Sequence, residues 1–197
     1  MKTIVFNKFN TFYLDYKDEV NALITKTLAS GKYIRDVNIE NLEQRLCVLS
    51  KREFTLTTAS CTDALFFALT AAGVEPGDEV ILPAFSYIAS LSPVLMCGAT
   101  PVFVDIDIKD YMLNTQAIKQ AVSKKTKAII FVQLFGNLRN IEALHEWTKK
   151  QNIVLIEDAA QALGAKNGAK NGGGSGDISC ISFDPTKIVS AYGTGGA

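Results

Sequence analysis

The sequence predicts an α/β fold, a mostly parallel sheet with helices on both faces. Three observations carry the prediction. From Phe54 onward, short apolar runs alternate with segments of helical period. The runs are continuously apolar rather than alternating, as strands buried on both faces require. Turn signals such as Pro76-Gly77 and Gly98 separate them.

The elements follow in order. Before the alternation begins, residues 1–53 read as a helical segment. Tyr16 to Ser30 places Val20, Ile24 and Leu28 on one stripe, and Gly31 stands where a helix stops. Asn38 to Leu49 repeats the pattern through Leu42, Leu46 and Leu49. Residues 54–197 then form the α/β unit. Strands are expected at 54–58, 79–82, 101–104, 128–132, 153–156 and 178–183, with helices at 62–72, 86–97, 115–122 and 140–150 between them. The glycine-rich stretch 164–176, with its tandem Ala-Lys-Asn-Gly, is expected to be a flexible surface loop. In such a sheet, ligands bind outside the carboxyl ends of the strands.

Composition narrows the function. Twenty Lys+Arg against twenty Asp+Glu leave no basic excess for a general nucleic-acid binder. The 48% hydrophobic fraction excludes a disordered chain and suits a soluble, core-bearing domain. Cys47, Cys61, Cys97 and Cys180 are widely spaced, so reduced thiols and a cytoplasmic setting are expected. The apolar run in residues 1–8 is too short for a signal peptide, and no run approaches a membrane span. Several motifs are missing. Gly172–Gly176 has neither phosphate-loop nor dinucleotide spacing. His145, the one histidine, has no second histidine four residues on and lies in a helix, so no metal site or hydrolase triad is expected.

Three elements would meet at the carboxyl edge. Thr58–Leu65 leads into a helix through Ser60, Cys61 and Thr62, suited to a phosphate at the helix N-terminus; an ordinary N-cap explains the same residues. Asp158 ends an apolar strand, where a carboxylate can pair with a cationic ring nitrogen or cap a helix. After Ser182, a Pro185 turn presents Lys187, which is either a solvated charge or a shielded, nucleophilic amine.

Together these segments resemble the DegT/DnrJ/EryC1/StrS sugar aminotransferases. The resemblance runs in order through SGKYI (30–34), SCTDAL (60–65), GDEVILPAFSYIA (77–89), GATPVFVDID (98–107), IEDAAQ (156–161), GDI (176–178), SFDPTK (182–187) and GTGG (193–196). It implies the large domain of a pyridoxal 5′-phosphate (PLP)-dependent transferase. By that resemblance Lys187 holds PLP as a Schiff base and later moves a proton. Asp158 pairs with the pyridinium nitrogen, Gln161 faces the phenolic oxygen, and Tyr87 stacks on the ring. Ser60, Cys61, Thr62 and Ser182 hold the phosphate.

The substrate implied is a nucleotide-linked keto-sugar, with glutamate as amino donor, in a homodimer. Lys187 favours transamination over the related dehydratases, which carry histidine there. Cys61 departs from the family's usual glycine, and residues 188–192 are less typical. The family's chains are about double this length, so the expectation is a truncated large domain lacking its final strand and the C-terminal small domain. A non-catalytic PLP- or sugar-nucleotide-binding fragment is the alternative.

Overall fold

The computed structural model describes residues 10–197; the N-terminal stretch 1–8 lies outside the described residues. The chain opens with a short helix α1 (Thr11–Asp15) and a longer α2 (Lys17–Ser30). Gly31 closes α2 in the left-handed region, its N–H bonded to the Leu28 carbonyl. The stripe on α2 is only half used: Val20 is partly covered, whereas Ile24 and Leu28 are exposed. Helix α3 (Val37–Ser50) begins at Asp36, whose carboxylate accepts from the N–H groups of Asn38 and Ile39. Its Leu42 and Leu46 pack on Ala159, Ala162, Leu163, Ile181 and Phe183.

Segment 54–58 is not a strand. Only Thr58 pairs, with Gly196 near the far end of the chain. Upstream, Glu43 on α3 takes both the N–H (2.8 Å) and the hydroxyl (3.0 Å) of Thr57, so a side chain replaces the sheet ladder there. Helix α4 (Cys61–Ala71) and strand β1 (Glu79–Pro83) follow. The helix expected over 86–97 is broken into a 3₁₀ turn at Ile88–Ser90 and a five-residue α5 (Ser92–Met96). Pro93 explains the break, since it lacks the N–H a continuous helix would need and is tolerated only in a first turn.

Next come β2 (Thr100–Val104), a small hairpin of β3 (Ile106–Asp107) and β4 (Met112–Leu113), α6 (Thr115–Ala121), β5 (Thr126–Val132), α7 (Glu142–Lys150) and β6 (Val154–Asp158). Segment 164–176 is packed rather than loose. It forms a hairpin of β7 (Lys166–Asn167) and β8 (Lys170–Asn171), then buries Gly172, Gly173, Ser175 and Gly176. A side chain at 172 would collide with the Ala162 carbonyl, so close approach explains that glycine. Strand β9 (Ile178–Cys180) ends the series.

The main sheet has the order β2-β1-β5-β6-β9, all parallel. One face packs Val80, Leu82, Ala128, Ile130 and Ile156 against Leu65, Ala68 and Leu69 of α4 and Val94 of α5. The other packs Ile81, Ile129, Phe131 and Leu155 against α6 and α7. The run expected as one strand to Phe183 changes partner after Cys180. Ile181 exchanges both backbone hydrogen bonds with Ala197, and Phe183 donates to Gly195. Gly196 exchanges two more with Thr58. All four cysteines are free thiols. Among the described residues no helix is long and apolar enough to cross a membrane.

Candidate functional site

The carboxyl ends of β6 and β9 and the start of α4 converge on one region. Asp158, the last residue of β6, is 5% exposed. Its Oδ1 accepts from the Ala160 N–H (3.1 Å) and its Oδ2 from the Ser90 hydroxyl (3.1 Å). Burial raises its carboxyl above the ordinary value, against the Ala160 N–H, the Ser90 hydroxyl and the Lys187 charge. Two neutral donors and one lysine are thin support for a buried carboxylate. A cationic ring nitrogen fits that deficit.

Lys187 is set by a turn in which its N–H donates to the Asp184 carbonyl (2.8 Å), with Pro185 at the second position. Thr186 fixes the turn by donating its N–H and hydroxyl to Asp184 Oδ1, and these two bonds hold the Asp184 carboxyl below its ordinary value. Lys187 lines a cavity of about 290 Å³ together with Gln161, Ser182, Ala160, Phe135 and Ile188. Gln161 Oε1 accepts from the Phe135 N–H (2.7 Å), which leaves its NH₂ free to donate into the cavity. Ser182 Oγ accepts from the Asp184 N–H (3.3 Å) and keeps its own proton for a ligand.

Ser60 caps α4, accepting from the Asp63 N–H (3.1 Å) and donating to Asp63 Oδ2 (2.8 Å). Its hydroxyl is thus committed to the cap, whereas the helix end keeps the unpaired N–H groups of a first turn, which suit an anion. Buried Cys61 opens the helix. Its thiol is pushed well up by burial, then by its neighbours Asp158 and Cys180, while Lys187 pulls the other way. This mutual influence puts Cys61, Asp158 and Lys187 in one electrostatic neighbourhood. Gly196 seals the helix start from outside, and any Cβ there would overlap the Ser60 carbonyl and the Cys61 nitrogen.

Of the residues singled out from the sequence, Gln161, Ser182 and Lys187 share the cavity wall, and Asp158 lies buried within reach of the lysine's charge. Ser60, Cys61 and Thr62 stand at the start of α4, outside that wall. Tyr87 is 74% exposed and just precedes the turn that carries Ser90. Reading from sequence missed Ser90, Phe135 and Ile188. Ser90 was hidden inside an expected helix, although the Pro93 that ends this reading was in plain view.

The model of the DegT/DnrJ/EryC1/StrS aminotransferase family matches residues 15–197. The chain belongs to this family. A curated relative, the UDP-2-acetamido-2-deoxy-3-oxo-D-glucuronate aminotransferase of Pseudomonas aeruginosa, is 40% identical over 92% of the chain and 50% of its own length. Among solved structures, Streptomyces venezuelae DesV in complex with a ketimine intermediate superposes with a TM-score of 0.94 at 32% identity, over 100% of this chain and 53% of that one. Bacillus subtilis NtdA with bound cofactor PMP gives 0.86 at 29%, over 99% and 45%. The chain thus spans about half the length of the relatives it matches.

Proposed function

We propose that the protein to which this chain belongs transfers an amino group to a nucleotide-linked keto-sugar, with PLP as cofactor and glutamate as donor. The observation that carries the reading is a buried carboxylate, Asp158, held by two neutral donors and two residues before Ala160, which lines a cavity with Lys187, Gln161 and Ser182. The cofactor, when bound, supplies an electron sink for the carbanion left at the donor's Cα.

The chain's residues supply the rest. Lys187 would hold the cofactor through its amine and, when free, would move a proton between the reacting carbons. Asp158 keeps the ring nitrogen protonated. Gln161, its carbonyl fixed by Phe135, donates its NH₂ to the phenolic oxygen. Ser182 and the first-turn N–H groups at Ser60, Cys61 and Thr62 would hold the phosphate, and Tyr87 would stack on the ring. The exposed apolar residues Leu23, Ile24 and Leu28 on α2 support a homodimer. Four free thiols support a cytoplasmic setting.

The test is spectroscopic. The purified protein with PLP should absorb in the visible, borohydride should bleach the band, and peptide mapping should find the reduced adduct on Lys187. No adduct at PLP saturation would refute the cofactor reading. Glutamate should then convert the cofactor to its amino form. An unchanged spectrum with PLP bound would favour a non-catalytic binding fragment instead.

A further inference from the structure

We infer that Ser90 is a positioning residue for Asp158, and that Ser86 completes a hydroxyl relay behind it. The inference rests on the PLP reading above and extends it to residues that touch neither substrate nor cofactor.

The geometry is specific. Ser90 is 2% exposed, and its hydroxyl lies 3.1 Å from Asp158 Oδ2. Ser86 Oγ lies 2.9 Å from Ser90 Oγ. A carboxylate only accepts, so the single Ser90 proton goes to Asp158, and Ser86 must then donate to Ser90. The relay therefore runs one way, from Ser86 through Ser90 into the carboxylate. Asp158 Oδ1 is held by the Ala160 N–H (3.1 Å), a backbone group that cannot be mutated away. Ser90 is the one side-chain donor on Asp158 among the described residues.

The backbone delivers Ser90 for this purpose. It ends the 3₁₀ turn Ile88–Ser90, which exists because Pro93 prevents a helix from running through, and the Ser92 hydroxyl ties that turn back to the Ile88 carbonyl. A regular helix from 86 would not give Ser90 this turn geometry. Tyr87 caps the same turn, so the aromatic proposed over the ring and the serine behind its carboxylate share one short element.

The charged and titratable groups around Asp158 are few. Lys187, on the cavity wall, lies close enough to act on it, Cys61 of α4 and Cys180 of β9 lie beside it as neutral thiols, and Glu157 precedes it on β6. With so little competing charge, a single hydroxyl donor weighs heavily on where the proton shared by Asp158 and the ring nitrogen resides. Ser90 stabilises the carboxylate and so leaves the proton on the ring. Without it the proton drifts toward Asp158, the ring withdraws less charge, and the nitrogen joining Lys187 to the cofactor becomes more basic.

The experiment compares the PLP-loaded protein with its Ser90→Ala, Ser90→Thr and Ser86→Ala variants. Borohydride mapping to Lys187 in the unmodified protein comes first, and its failure refutes the underlying PLP reading rather than the role of Ser90. In Ser90→Ala the pH midpoint of the bound cofactor's visible band should rise by about half to one unit, and kcat should fall about tenfold, as loss of one hydrogen bond to a charged group implies. The KM for the amino donor should stay within about twofold, because no binding contact is removed. Ser90→Thr keeps the hydroxyl and should restore the midpoint. Ser86→Ala should move it the same way by less. An unmoved midpoint in Ser90→Ala overturns the inference, whether or not kcat falls. If that variant does not retain PLP, Ser86→Ala decides: no upward shift there overturns the inference equally.

Discussion

Replacing Arg52 by alanine should destabilise the protein in a pH-dependent way. Arg52 follows α3 and reaches across the chain with its whole guanidinium. Nε donates to the Gly173 carbonyl (3.1 Å), Nη1 to the carbonyls of Gly176 (3.0 Å) and Asp177 (3.3 Å), and Nη2 to the Ser175 carbonyl and the Ser179 hydroxyl (2.6 Å). Behind it lies Glu157, fully buried, accepting from the Ser175 N–H (2.8 Å) and the Ser179 hydroxyl (2.9 Å).

Burial raises the Glu157 carboxyl above its ordinary value, while those donors and Arg52 pull it down. Because the folded-state value is the higher one, the unfolded chain ionises first as pH rises, and Glu157 costs stability increasingly through that window. Removing Arg52 takes away the countercharge and widens the window. A buried charge left unpaired costs about 3–5 kcal/mol. We expect Arg52→Ala to lose about 4 kcal/mol at pH 8, a large part of a typical domain's 5–15 kcal/mol. The loss should be smaller at pH 5 than at pH 8, because the raised Glu157 carboxyl takes up its proton as pH falls. The assay is urea unfolding followed by circular dichroism at both pH values, with Glu157→Gln in each background. Glutamine keeps an acceptor for Ser175 but no charge, so the double variant should recover about 2 kcal/mol at pH 8. A loss independent of pH, with no recovery from Glu157→Gln, would refute the pairing and leave only the carbonyl contacts.

Asp158→Asn should still form the borohydride-reducible adduct on Lys187 while lowering kcat at least about a hundredfold, the scale of losing a preorganised charge at the reacting centre; stopped-flow turnover would check it. Gly196→Ala, which puts a methyl into the Ser60–Cys61 peptide, should cost about 1–3 kcal/mol by overpacking and weaken PLP binding at least about tenfold, read by fluorescence titration. Asp177 is held below its ordinary value although burial opposes this, because His145 Nε2 (2.8 Å) and the Leu155 N–H (2.8 Å) bind its carboxylate. Its contribution is therefore present above the usual carboxylate range and fades as pH falls through the lowered value. Asp177→Asn should cost about 1 kcal/mol at pH 7, discounted for its partial exposure, and progressively less as pH falls below the usual carboxylate range.

What could be read from sequence follows the range of the interactions involved. Strands β1, β2, β5 and β6 were legible because their apolar runs are local signals with little ambiguity. The 54–58 segment was misread because its fate depends on Glu43 and on Gly196, partners 14 and 138 residues away from the Thr57 and Thr58 they meet. The glycine-rich stretch looked flexible because composition shows no packing, whereas Arg52 and Glu157 supply acceptors and donors that tie it down. Site residues were named through family resemblance. Physical reading of the residues had reached three elements at one sheet edge and left a cap, a carboxylate and a lysine each with an ordinary explanation.

Glu157 and Asp158 show how the fold separates two adjacent acids. Consecutive strand residues point to opposite faces. Asp158 shares its face with Ile156 and so turns toward α4, where Cys61, Ser90 and Lys187 are. Glu157 shares its face with Leu155 and meets the Gly173–Ser175 backbone and Arg52. Both are buried and both have raised carboxyls, so neither burial nor titration distinguishes a site residue from a structural one. Satisfaction does. Glu157 accepts from two backbone N–H groups and a hydroxyl and lies beside a guanidinium that is fully engaged by the protein itself. Asp158 has two neutral donors and a lysine on a cavity wall. An acid whose countercharge is already built in has nothing left to offer a ligand, and one still short of positive charge does. Glu157→Gln should accordingly leave the pH midpoint of the bound cofactor's band where it is while changing urea stability, whereas Ser90→Ala, which removes a donor from Asp158, should move the midpoint. If Glu157→Gln shifts the midpoint as far as Ser90→Ala does, the two faces of β6 are not independent, and assigning one acid to structure and the other to chemistry is wrong.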